Sequence, residues 1–291
     1  MGLFAKEEEK ATTIAPISPI IVRTSNVAKE LLQVSLTYKV PVHSLDFHLI
    51  GTQTLTKAVV EGSLEDWVEL TSDEVKDLGE EHFLNPKFEI KQVHEIEIYS
   101  IETHSPLESI DMSIGGNPTL CKIYLTIKAG SIARYYDTFK EDFIHLINKK
   151  KLRANVLIGV FDSLLLHFIS DLLAKIHVAR NYRFETQERY LIAQAYEPIE
   201  TVNDKLVLHY DAKHQNIDEH GRVDYAKRGY VISAVKDELL IEYVKPHKGE
   251  NGRNCRGEVI IPQEPVVKNE PTFSVGDTIT VIDTPKSIEY R

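Results

Sequence analysis

Lys245-Pro246-His247-Lys248-Gly249-Glu250-Asn251-Gly252-Arg253-Asn254-Cys255-Arg256-Gly257-Glu258 sets three glycines and a proline into one short run. Two readings compete for it. Read as a phosphate loop, Gly252-x4-Gly257 has the first half of the spacing. Such a loop needs Lys and then Ser or Thr after its second glycine, one for phosphate oxygens and one for the metal. Glu258 and Val259 stand there instead, and a carboxylate repels phosphate. The nucleotide reading fails. Gly249 and Gly252 then read as turn residues supplying positive backbone angles between strands. Arg253 and Arg256 remain candidates for contact with an anion.

The flanking sequence has the same texture. From Lys205 onward, Val207, His209 and Asp211 alternate with Leu206, Leu208 and Tyr210. Turns recur at Asp218-Glu219-His220-Gly221, Lys227-Arg228-Gly229 and Val235-Lys236-Asp237-Glu238. Short strands with frequent turns predict an all-β unit over 204–291. Pro262, Pro265, Pro271 and Pro285 resist central-strand placement, and Thr278 to Ile282 is the one further strand expected.

Upstream the periodicities change. Residues 1–18 read as a disordered tail. Ile20 to Arg23 reads as a strand. Ser25 is the expected cap of a helix carrying Val27, Leu31, Val34 and Tyr38 on one face, stopped by Pro41. Extended chain follows from Val42 to Gln53, giving a small β-α-β domain over 19–60. Residues 61–86 are acidic and read as a solvated helix or linker, with a docking surface for a basic partner as the sharper alternative. An α+β domain is expected over 87–203. It has a long strand at Phe88 to Ile101 and a turn at Gly115-Gly116-Asn117-Pro118. A half-buried strand follows, with Cys121, Ile123, Leu125 and Ile127 on one side. Phe139, Phe143, Leu146 and Ile147 mark a helix ending in Lys149-Lys150-Lys151 and Arg153, where positive charge suits the dipole. A second helix starts at Asp162 or Ser163, with an apolar stripe from Phe161 through Leu165, Phe168, Ile169 and Leu172 to Ile176. The fold class expected is α+β.

Composition narrows function. The chain has 291 residues, 42% hydrophobic, and a net charge of −10. Lys205 to Arg291 holds 13 basic and 14 acidic residues, so the negative charge sits upstream and a polyanion partner such as nucleic acid is disfavoured. No apolar run spans a bilayer, and the start lacks a secretory leader, so the expected location is cytoplasmic. Cys121 and Cys255 then read as reduced thiols. Asn216-x-Asp218-x-His220-Gly221 lacks the distal Glu of a calcium loop, since Lys227 stands there. His43/His48 and His209/His214 form no zinc motif, and no Gly-x-Ser-x-Gly elbow occurs. No catalytic residue, metal or cofactor is assigned.

His209-Tyr210-Asp211-Ala212-Lys213, Ile217 to Tyr225 and Val244 to Glu258, with Pro246, Gly249, Gly252 and Gly257 at their spacing, together resemble the bacterial flagellar assembly protein A (FapA) family. Asn26 to Leu31 and Leu45-Asp46-Phe47 are also similar to it. The resemblance implies a glycine-rich segment leading into a right-handed β-solenoid and then a coiled coil, so that this chain reads as an N-terminal part. It implies a non-enzymatic scaffold or adaptor in flagellar assembly or polar placement. Its partners would be flagellar or polar proteins, among them a phosphotransferase-system component, and it would self-associate through regions beyond Arg291. Residues 20–54 also resemble the small N-terminal domain of Jag-type RNA-associated proteins, which leaves an RNA-associated module as an alternative. A small-molecule-binding or enzymatic middle domain is the third.

Overall fold

The structure is a computed structural model that describes residues 16–58, 66–101, 106–209 and 235–291. The chain forms two compact units. The first runs to Glu197 and takes back Arg253–Val259; the second is Pro198–Gly252 with Ile260–Arg291. The first unit combines five α-helices with antiparallel sheets and the second is β-rich among its described residues, so the α+β class holds. Among the described residues no solenoid entry is seen. The turns expected at 218–221 and 227–229 and the Ile217–Asp224 marker lie outside the described residues, as do His214 and most of the N-terminal tail.

The first unit begins with β1 (Ile20–Thr24), α1 (Val27–Tyr38) and β2 (Leu45–Ala58). Asn26, not Ser25, caps α1: its side-chain oxygen accepts from Lys29 N at 2.9 Å. Val27, Leu31 and Val34 are buried as the spacing requires, while Tyr38 is exposed. The helix ends before Pro41, on Lys39 in the left-handed region (φ 55°).

Next come β3 (Val68–Leu70), α2 (Ser72–Lys76), α3 (Glu80–Leu84) and β4 (Phe88–Ser100). Strand β4 pairs antiparallel with both β1 and β2, giving the order β1-β4-β2-β3. This corrects two expected boundaries. The 19–60 segment is not a separate domain, because the strand between β1 and β2 arrives from beyond it. Residues 66–86 are not a linker either. Thr71 and Glu74 form a reciprocal capping box on α2. Phe83 of α3 is buried against the rings of Phe88, Phe161 and Tyr196. Burying one such ring contributes about 2 kcal/mol, enough to anchor a five-residue helix.

Strand β5 (Met112–Gly116) and β6 (Lys122–Ile127) form a three-stranded sheet with β9 (Glu188–Gln194); β7 (Ile132–Arg134) pairs with β8 (Asn181–Arg183). Cys121, Ile123, Leu125 and Ile127 are all buried, matching the alternation. Helices α4 (Phe139–Arg153) and α5 (Ser163–Ala179) start near the expected points.

Two apolar cores result. One gathers Phe88 and Ile90 with α4, α5 and β6; the other gathers Ile96 and Ile98 with α1, Leu45, Phe47 and Leu152. Strand β4 contributes to both. Its core-facing row reads Phe88, Ile90, Gln92, His94, Ile96, Ile98, so the stretch between the two cores is polar.

In the second unit β10 (Lys205–Leu208), β11 (Ile241–Val244), β14 (Val281–Asp283) and β15 (Ser287–Tyr290) form an antiparallel sheet in the order β10-β11-β15-β14. Between β11 and β14 lie the two-residue arms β12 (Gly252–Arg253) and β13 (Val259–Ile260). The proline-rich stretch 261–277 holds no strand, as its composition predicts; the strand expected at Thr278 to Ile282 starts only at Val281, and β15 is a further strand beyond that expectation. Asp204 fastens it, accepting from Lys268 N at 2.9 Å and from the Asn269 amide.

Candidate functional site

The loop between β12 and β13 is closed by Asn254. Its side-chain oxygen accepts from Arg256 N at 2.9 Å and Glu258 N at 3.0 Å, and its amide donates to Glu258 Oε2 at 2.7 Å. The backbone is fixed to three other segments of the first unit. Arg253 exchanges two hydrogen bonds with Tyr196, Cys255 N donates to Leu120 O at 2.9 Å, and Leu157 N donates to Cys255 O at 2.9 Å.

Arg253 does not face an anion. It is buried at 1% exposure. Its Nε donates to Phe83 O at 2.7 Å, one terminal nitrogen to Gly257 O at 2.6 Å, and the other to Asn85 O at 3.0 Å and Phe88 O at 2.7 Å. Burial pulls its pKa below the ordinary guanidinium value. A planar donor fork matches several carbonyls at once, which an ammonium could not do. The guanidinium ties α3, the start of β4 and its own loop together. The anion-contact reading is corrected for this residue: its donors are spent on carbonyls.

Arg256 is exposed, and its Nε donates to Ala154 O at 3.1 Å. Gly257 is the glycine of the motif with positive φ, at 84°. A Cβ there would meet Ile90 O at 2.9 Å. Gly249 and Gly252 do not have positive φ, contrary to expectation. Gly249, in the second unit, is needed for close approach: a Cβ would lie 2.1 Å from Ile199 O. Pro246 sits between Lys245 N and His247 N, which donate to Lys286 O and Val202 O at 2.9 Å each; its own missing N–H falls outside that pattern. Arg253, Arg256 and Gly257 thus share the first unit, while Pro246, Gly249 and Gly252 belong to the second.

Sequence reasoning missed the groups around the loop. A cavity of about 270 Å³ opens where the loop faces the polar middle of β4 and the exit of α4. Gln92 is fully committed: it donates to Thr54 Oγ1 at 3.0 Å and Ile158 O at 2.7 Å, and accepts from Ile158 N at 2.9 Å. His94, 5% exposed, meets Thr52 Oγ1 through Nδ1 at 3.1 Å. Burial pushes its pKa down to about 4, so the ring is neutral near pH 7. Asn155, in the left-handed region (φ 57°), lines the cavity and has a buried side-chain oxygen without a partner.

Beneath the loop, Lys151 is fully buried and paired with Asp162. Burial lowers its pKa, and Asp162 opposes that shift. Cys255 and Cys121 are buried, their thiols pushed up to about 12 and about 11 chiefly by desolvation. On the same last turn of α4, Lys149 Nζ lies 2.6 Å and Arg153 3.1 Å from the Asp46 carboxylate. Burial would raise the Asp46 pKa, but Lys149, the Phe47 backbone N–H and Arg153 together outweigh it and the net shift is downward. The basic cluster is thus largely engaged within the unit.

Among the described residues no group of three or more His, Cys, Asp or Glu could hold a metal ion. Likewise no described helix is long and apolar enough to cross a membrane. A family model described as Flagellar Assembly Protein A N-terminal region matches residues 140–288, just over half of the chain. No curated protein and no solved structure matches the sequence. The matched span runs from α4 through the loop to β15.

Proposed function

The chain belongs to the flagellar assembly protein A family, and from that premise we propose that it serves flagellar assembly as a non-catalytic scaffold or adaptor. The observation that carries the non-catalytic part is Arg253. The charged group at the centre of the most distinctive motif is buried on four carbonyls, which gives the motif an architectural task. The neighbouring thiols point the same way, because burial keeps them protonated and poor nucleophiles. Within this reading the partners are proteins of the flagellar or polar machinery, including a phosphotransferase-system component. The chain works in the cytoplasm, at the cell pole, and self-associates.

The test is in-cell crosslinking of the tagged full-length protein, followed by identification of both protein and RNA. Enrichment of flagellar or polar proteins over an acidic control protein is expected. Recovery of RNA without those proteins would replace this reading with an RNA-associated one.

A further inference from the structure

Arg256 and Glu258 stand two residues apart on one loop, and both line the cavity. Arg256 spends its Nε on Ala154 O, and the structure gives its two terminal nitrogens no acceptor. Glu258 takes the Asn254 amide on Oε2. The two side chains form no ion pair with each other within 4 Å, so opposite charges face one space separately. His94, neutral and bonded only through Nδ1, lines the same space. So does Asn155, with its unpartnered buried oxygen. Leu152 and Leu157 add an apolar wall. Lys91 also borders the cavity; its ammonium lies over the Trp67 ring, 3.6 Å from the centroid, and remains a cation there.

A simple anion would gain Arg256 and meet the Glu258 carboxylate. A simple cation would meet the reverse. A molecule with both charges satisfies both. The volume of about 270 Å³ lies just below the range of about 300–1,000 Å³ usual for drug-sized ligands, which limits an occupant to a small molecule. We propose that this cavity binds a small zwitterion, an α-amino acid with an uncharged side chain. The carboxylate meets Arg256, the ammonium meets Glu258, and the side chain lies on the leucines. This inference is independent of the flagellar reading.

The His94 ring reports occupancy, and its resonances can be followed by NMR in the full chain. L-valine, L-leucine and L-serine are titrated, with N-acetyl-L-valine, L-valinamide and inorganic phosphate as single-charge controls. At least one free amino acid should shift the His94 signals saturably. For L-valine, each single-charge derivative should bind about 10-fold more weakly or worse. Glu258→Gln, which keeps an acceptor for Asn254, should weaken L-valine but not N-acetyl-L-valine. Arg256→Gln should weaken L-valine but not L-valinamide. The proposal is overturned if no amino acid gives a saturable shift up to about 10 mM. It is also overturned if phosphate or either derivative binds as tightly as the parent.

Discussion

At the scale of single residues, the account rests on Arg253. Removing its guanidinium takes a donor from the carbonyls of Phe83, Asn85, Phe88 and Gly257, of which Asn85 O keeps the Phe88 N–H at 3.1 Å. Arg253→Met should therefore destabilise the first unit by about 3 kcal/mol or more, and Arg253→Lys should recover only part of it, because one ammonium cannot span the same acceptors. Urea unfolding with unchanged m-value measures both; near-wild-type stability of Arg253→Met would mean the carbonyls find other donors. The thiols give a second test. With pKa values raised to about 11 and 12, Cys121 and Cys255 should resist iodoacetamide in the native protein at pH 8 and react promptly in denaturant, as mass spectrometry would show. None of this was readable from residue type. An arginine between glycines looks like a surface cation, and only the return of the loop to Tyr196 and Leu120 places it inside. Gly257 was legible as a turn residue, but Gly249 serves close approach rather than positive φ, a distinction that depends on what lies opposite.

At the scale of elements, the informative one is β4. Its alternation marked it as a strand, and Phe88, Ile90, Ile96 and Ile98 were readable as core. Gln92 and His94 sit at core positions of the same row, and that break in the apolar pattern was the available signal for the cavity. The structure shows why it is tolerated: the polar pair lies between two cores and is matched by Thr52 and Thr54 across the ladder. His94 makes this element pH-sensitive. Its folded pKa, about 4, lies below the ordinary value of 6.5. The fold thus favours the neutral ring, and that stabilisation is complete above about pH 6.5. It is lost as pH falls toward 4, by up to about 3 kcal/mol. Asp46, with its lowered pKa, adds a loss at still lower pH. Unfolding free energies of wild type and His94→Gln should converge or cross between pH 7 and 4.5; parallel curves would assign the acid sensitivity elsewhere.

At the scale of the whole molecule, helices and strands were largely legible, but their grouping was not. The sequence placed boundaries near residues 60, 86 and 203, where composition changes. The fold ignores the first two, because β4 inserts between β1 and β2 and Phe83 carries the acidic stretch into the core; the third lies near the start of the second unit at Pro198, although Arg253–Val259 returns to the first. Long-range pairing of this kind leaves no local trace. The family motif did leave one, and the match over residues 140–288 covers the elements around it. The most direct measurement of the central claim is the number and position of flagella, counted by electron microscopy, in cells deleted for this gene and in cells complemented with it. Loss or misplacement of flagella, restored by the intact gene, is predicted. Normal number and position in the deleted cells would contradict the account.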